Sequence, residues 1–343
     1  MLLNVFEGDA FNVQELTAAI NRIPATPTRI GKSGLFESRG VITTSVMLEY
    51  KDKIISLIPT SARGTPPGTA RPEKRKMYTF VVPHLALDDT VMADEVQNVR
   101  SFGTQSELQG VSEVVTNKIA IMRAAHEVTL EHHMLGAIKG VVLDADGVTV
   151  IHNLWTEFGV TPDVINFDFD PVTPGGSPTV KTQCLAVKRA IEENLGAATF
   201  SHIHCFCNST FFDMLTNDFG VKEAYERWNQ GAALRDDMRA YFPYGGIVFE
   251  EYPGSVGTTA FIPTVATTFP GNAFFFPVGV PGLFLTYFAP ADYIETANTV
   301  GLEFYAKQER MVMDKGIIIE TQSNPLALCT RPMSLVRATF TGS

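Results

Sequence analysis

The stretch from Thr104 to Gly140 constrains this chain more than any other, because it contains no proline and reads as a single helix. Thr104 stands three residues before Glu107, the spacing of a capping box, and Gly140 is a natural stop. Leu108, Val111, Val115, Ile119, Met122, Leu130, Met134 and Ile138 recur every three to four residues and draw one apolar stripe. At 1.5 Å per residue the rod is roughly 50 Å long. Strand-like segments flank it, so a helix laid along a sheet is expected rather than a bundle. A girder of this kind carries no chemistry by itself.

The 343 residues are enough for two or three cores. There is no N-terminal apolar segment and no run of about 18 apolar residues, so neither signal peptide nor membrane span is expected. The apolar stretch Phe274–Phe288 is cut by Pro277 and Pro281 into strand-sized pieces. A net charge of −10 argues against a protein that grips nucleic acid over its whole surface. Four cysteines (Cys184, Cys205, Cys207, Cys329) in so long a chain point to reduced thiols made in a cytosol.

Along the chain, residues 1–37 read as a weakly self-sufficient arm. A short helix fits Val13–Ile23 with Asn12 as its cap, and Pro24, Pro27, Gly31 and Gly34 then oppose regular structure. Val41–Ile58 and Arg75–Val82 read as the two strands of a hairpin. Its tip carries Arg63, Arg71, Lys74, Arg75 and Lys76 against one acid, Glu73. A two-stranded hairpin is marginal alone, and the natural partner of a basic tip in an acidic chain is another copy's acidic face. Asp88–Ser101 reads as a link into the long helix. Val141–Trp155 is a second hairpin turning at Asp144–Gly147, Asp163–Ser177 is loop, and Val180–Leu195 is a helix ended by Gly196. An α/β pattern follows: strand at Ser201–Cys207, helix at Asn208–Asn217 capped by Asn208 or Ser209, helix around Glu223–Trp228, strands at Tyr244–Tyr252 and Gly282–Phe288. Glu303–Asp314, Gly316–Thr321 and Leu335–Thr341 read as closing strands that return to the long helix, leaving about 197–300 as an insertion.

Candidate reaction centres are weak. His202, His204, Cys205 and Cys207 are zinc-ligand types, but on a strand the histidines face one side and the cysteines the other. A metal-dependent enzyme using His202, His204 and an acid such as Asp213 remains the competing reading. Asp144 and Asp146 begin a calcium-loop pattern that Thr149 and Ile151 do not continue. His132 and His133 are adjacent and do not share a helix face, and His126 falls near the apolar stripe. Asp168 and Asp170 are close but lack a third group. No nucleophile elbow, H-E-x-x-H, Walker loop or G-x-G-x-x-G is found, so no catalytic residue, cofactor or metal is assigned.

Several segments carry a family resemblance. Ala291-Asp292-Tyr293-Ile294-Glu295-Thr296-Ala297-Asn298 leads into Gly301-Leu302-Glu303-Phe304-Tyr305-Ala306-Lys307, and then into Gly316-Ile317-Ile318-Ile319-Glu320-Thr321-Gln322-Ser323-Asn324-Pro325-Leu326. With Gly-Gly-Ile-Val-Phe-Glu-Glu-Tyr at 245–252, these resemble, in the same order, the lambda-type major capsid proteins of tailed phages, the major capsid protein E family. The likeness is weakest at 1–37 and 253–275. It implies an α+β, HK97-like capsid fold: an N-terminal arm (1–37), an extended β-hairpin loop (38–88), a peripheral domain (89–196 and 301–343) with a spine helix at 104–140, and an axial α/β domain (197–300). It also implies a virion protein made in the host cytoplasm that forms pentamers and hexamers of itself around double-stranded DNA, without sequence-specific binding. A scaffolding protein, a portal and a decoration or cement protein are the implied partners. An encapsulin-like compartment shell shares the fold and is the nearer alternative.

Overall fold

The computed structural model describes residues 13–23, 28–51, 75–96, 111–169, 180–196, 198–228, 238–252, 255–256, 259–260, 262 and 272–341. Within these the long helix runs Val111–Lys139; its expected beginning at Thr104 and the box with Glu107 lie outside the described residues. Gly140 ends it with φ 79°, a left-handed conformation that costs other residues. A Cβ there would sit 2.3 Å from the Trp155 indole nitrogen, so both backbone and space require glycine.

The expected single stripe holds only for the first half of the helix. Val115, Ile119 and Met122 are buried while Thr116, Asn117 and Ile121 face solvent. From Glu131 to Ile138 every side chain is buried. The helix leaves one sheet and runs into the interior, so its polar residues there are enclosed and must be satisfied internally.

Two small sheets receive the helix. The first has Tyr305–Arg310, Gly316–Ser323 and Leu85–Met92 in antiparallel order. Val91, Ile317, Ile319, Ala306 and Phe304 form a core with Val115, Ile119 and Met122 of the helix and with Leu16 and Ile20 of a short helix, Val13–Arg22. Leu85–Met92 is a strand, where a link was expected from Asp88. The paired acids Asp88 and Asp89 mask its alternation, and an edge strand tolerates charge. The second sheet pairs Glu37–Gly40 parallel to Phe284–Phe288, which is antiparallel to Pro325–Cys329. Its apolar residues share one core with Met134, Leu135 and Ile138.

A six-stranded sheet forms the other body, in the order Asp163–Asp168, Val336–Thr341, Ala273–Val278, His202–Cys207, Ile247–Glu251, Phe242–Tyr244. One face is covered by helices Val180–Leu195 and Ser209–Asn217 through Cys184, Val187, Ile191, Phe211, Phe212 and Leu215. The opposite face gives Phe206, Phe274 and Phe276 to the core of the long helix. Asn208 caps its helix, accepting from the Phe211 amide at 2.9 Å. Asp163–Asp168, expected as loop, is a strand because Val336–Thr341 pairs with it in parallel register. The boundaries drawn at 196 and 301 therefore run through this sheet. The four cysteines are free and buried.

Besides a short pair, Ser255–Val256 with Thr259–Ala260, two hairpins stand outside these sheets among the described residues. Ser45–Lys51 pairs with Arg75–Val81, and Val141–Leu143 with Val150–Asn153. The second ends earlier than expected, since Trp155 belongs to a helix, Leu154–Phe158, started by the Asn153 side chain. The tight seat of Gly140 on Trp155 generates a test. Gly140→Ala should lower the unfolding free energy of the unassembled subunit by at least about 2 kcal/mol in urea titration, combining left-handed strain with overpacking.

Candidate functional site

Of the basic residues singled out at the hairpin tip, Arg63, Arg71 and Lys74 lie outside the described residues. Arg75 and Lys76 lie on the return strand, across from Lys51 and Tyr50, and only their backbone is described. The base of the hairpin is well defined. Phe80 and Val46 are buried on its inner face, and Phe80 and Tyr78 stand 5.6 and 4.6 Å from the Phe158 ring. On the outer face Met47, Met77 and Val81 are 64%, 62% and 66% exposed. The hairpin thus has one face fixed to its own subunit and one apolar face open to a partner.

A second apolar protrusion is the turn between Tyr305–Arg310 and Gly316–Ser323. Val312 and Met313 are 86% and 83% exposed there, and Met313 holds φ 69°. A non-glycine residue in that conformation stores roughly 1–3 kcal/mol of strain. The three consecutive apolar residues Met311-Val312-Met313 run directly into the polar turn Asp314-Lys315-Gly316.

The segment preceding the hairpin is strapped to the body by a polar network. Residues Arg29–Ser33 form a helix that Gly31 was expected to prevent. Thr28 gives it no side-chain cap; the buried Glu131 of the long helix does so instead. The Glu131 carboxyl group accepts the amides of Ile30 at 2.7 Å and Gly31 at 3.2 Å, and the Tyr252 hydroxyl at 2.6 Å. Burial and this carboxyl push the Tyr252 phenol well above its usual range. Arg29 pairs with Glu250 at 2.9 Å and donates to the Glu251 carbonyl at 2.8 Å, and Glu250 meets His204 Nε2 at 3.0 Å. Neither Glu131 nor Tyr252 belongs to a local motif, which is why the sequence did not disclose them.

The remaining candidates are structural. His202 and His204 stand 6.3 Å apart on one face of their strand, while Cys205 and Cys207 are buried on the other. Asp213 is exposed on the helix that covers the cysteine face, across the sheet from the histidines. Among the described residues no group of three or more His, Cys, Asp or Glu is arranged to hold a metal. A cleft of about 540 Å³ beside His202 and His204 is lined by Arg29, Glu37, Glu250 and the loop from Gly279 to Gly282. Asp146 accepts the Val148 and Thr149 amides and so builds its turn. Asp168 is exposed on an edge strand and Asp170 lies outside the described residues. His126 bonds Thr321 at 3.0 Å. Burial drives the imidazolium of His133 down to a pKa of about 4.

Comparison with known proteins matches the chain to phage capsid proteins. The profile of the family described as phage major capsid protein E spans residues 12–340. The major capsid protein of Salmonella phage Felix O1 is 29% identical, covering 98% of this chain and 98% of its own. That of Pseudomonas phage KPP10 is 28% identical, over 91% and 92%. Among solved structures, the capsid of Myoviridae phage XM1 superposes with TM-score 0.54 at 9% identity, covering 93% of this chain and 94% of that one. The capsid of cyanophage P-SCSP1u gives 0.53 at 12%, over 93% and 90%. These likenesses show the HK97-type α+β capsid fold.

The Glu131 network is separable by substitution. Glu131→Ala leaves two buried donors and one part-buried donor unmade and should cost about 3 kcal/mol, with faster proteolysis between residues 28 and 36. Tyr252→Phe, which removes one donor together with its need, should cost about 1 kcal/mol.

Proposed function

The chain belongs to the phage major capsid protein E family and is a shell-building protein rather than an enzyme, and we propose that it closes its shell as pentamers and hexamers through the hairpin and the 311–315 turn. The observation that carries this is the one-sided hairpin, whose outer face of Met47, Met77 and Val81 has no partner within the described residues. Heterologous contacts that close around an axis bring such a face of one copy onto a different surface of the next. The near-full-length matches to phage major capsid proteins favour a phage shell over an encapsulin-like compartment or a metal enzyme at His202 and His204.

In this reading the peripheral domain comprises the long helix, the two small sheets and the Val141–Asn153 hairpin. The axial domain is the six-stranded sheet with its helices, so Asp163–Leu195 and Val336–Thr341 join the axial side rather than the peripheral one. The basic tip, with Arg63, Arg71, Lys74, Arg75 and Lys76, meets an acidic surface of a neighbouring copy. A net charge of −10 suits a wall that encloses double-stranded DNA without holding it. A scaffolding protein, a portal and a decoration protein complete the proposed partners in the host cytoplasm and the virion.

Negative-stain microscopy of the chain, expressed alone and with its scaffold, should show closed shells or rings of five and six; a small oligomer under both conditions would overturn the assignment. Changing Arg63, Arg71 and Arg75 together to Glu should leave a folded subunit, by circular dichroism and urea unfolding, that yields no closed shells. Normal shells from that variant would remove the tip from the interface.

A further inference from the structure

The base of the hairpin is fastened by a histidine whose surroundings demand a particular charge. His152 lies on the strand Val150–Asn153 and is 7% exposed. Its Nδ1 is 3.0 Å from Glu157 Oε1, on the helix that the hairpin packs against, and its Nε2 is 2.8 Å from the carbonyl oxygen of Val81, the last residue of the hairpin's return strand. Both partners are acceptors. A carboxylate and a backbone carbonyl offer no proton, and a neutral imidazole has only one to give. In either neutral tautomer one ring nitrogen would set its lone pair against an oxygen's. Only the doubly protonated ring satisfies both contacts.

We propose that His152 is a pH-sensitive anchor for the hairpin: as an imidazolium it ties Val81 to Glu157, and on losing its proton it gives up one of the two ties. The groups around it are consistent with that role. Phe80 presents its ring at 5.7 Å in an edge arrangement and carries no charge. His133, on the long helix, feels the charge of His152; burial first, then His132, lowers its pKa to about 4, so it is no cation at neutral pH. Glu157 is one-third exposed and is the one anion bonded to the ring. Burial opposes the charge on His152, and the bonds to Glu157 and Val81 outweigh it, so its pKa is raised.

The sign follows by linkage. A histidine whose pKa is raised in the folded protein contributes stability that is fully present below its unfolded value, near 6.5, and is lost as pH rises through the folded value. The anchor is therefore tight in mildly acidic solution and slackens above neutrality. Nothing in this depends on which surface the hairpin tip meets.

Amide hydrogen exchange on the full-length chain, read by mass spectrometry and corrected for the intrinsic pH dependence of exchange, tests the anchor. Protection of 45–51 and 75–82 should fall severalfold between pH 6 and pH 8.5, with a ceiling of tenfold for each unit by which the folded pKa exceeds the unfolded one. The helix Val180–Leu195 should show no such change. His152→Gln, whose amide retains a donor toward Val81 but does not titrate, should flatten the profile. Glu157→Gln, which removes the anion bonded to the ring, should shrink the fall while leaving the chain folded, because the loss still begins at the unfolded value and a lowered folded value ends it sooner. A wild-type profile that is flat over this range, or an equal fall in either variant, would overturn the proposal.

Discussion

A single buried carboxyl group joins three parts of this subunit that are far apart in sequence. Glu131 lies on the long helix, yet its hydrogen-bond partners come from residues 30, 31 and 252. In a medium of low polarity, each of those donors would be costly without a partner, and the carboxyl group would be costlier still. The arrangement is thus cooperative: the segment from residue 28, the long helix and the end of the Ile247–Glu251 strand are specified together or not at all. Arg29 and Glu250 add a partly exposed pair, worth little alone, that fixes the direction from which the segment approaches.

This cooperativity explains what was legible in the sequence. Elements whose cause is local were readable: the helix Val180–Leu195, the Asn208 cap, the turn at Asp144–Gly147 and both hairpins. Their signals lie within a few residues of the structure they specify. The helix Arg29–Ser33 was not readable, because its cap is supplied by a residue about a hundred positions away. The strand Asp163–Asp168 was hidden for the same reason, since its partner is Val336–Thr341. The buried second half of the long helix looked amphipathic because His132, His133 and Glu131 are polar. Their burial is a property of the surroundings, and the pattern of residue types alone does not carry it.

The functional surfaces divide along similar lines. The chemistry-bearing types at 202–207 were correctly separated onto two faces by strand periodicity, and that separation withdrew the best candidate for a reaction centre. What marks the chain as a building block is the opposite kind of feature: apolar side chains displayed to solvent at Met47, Met77, Val312 and Met313. A folded monomer has no reason to keep a methionine in a left-handed turn with its side chain outward. The proposed contact at the 311–315 turn would supply one, by covering the residue with a neighbouring copy.

The order of strands in the large sheet also limits when the subunit can be completed. Val336–Thr341 lies inside that sheet, hydrogen-bonded on one side to Asp163–Asp168 and on the other to Ala273–Val278. Without Val336–Thr341 each of those two strands has an unpaired edge, and Asp163–Asp168 is cut off from the other four strands of the sheet. A polypeptide still being translated is therefore not a competent subunit, however much of its long helix has formed. The topology makes the large sheet depend on a strand drawn from the far side of the long helix and the small sheets in sequence.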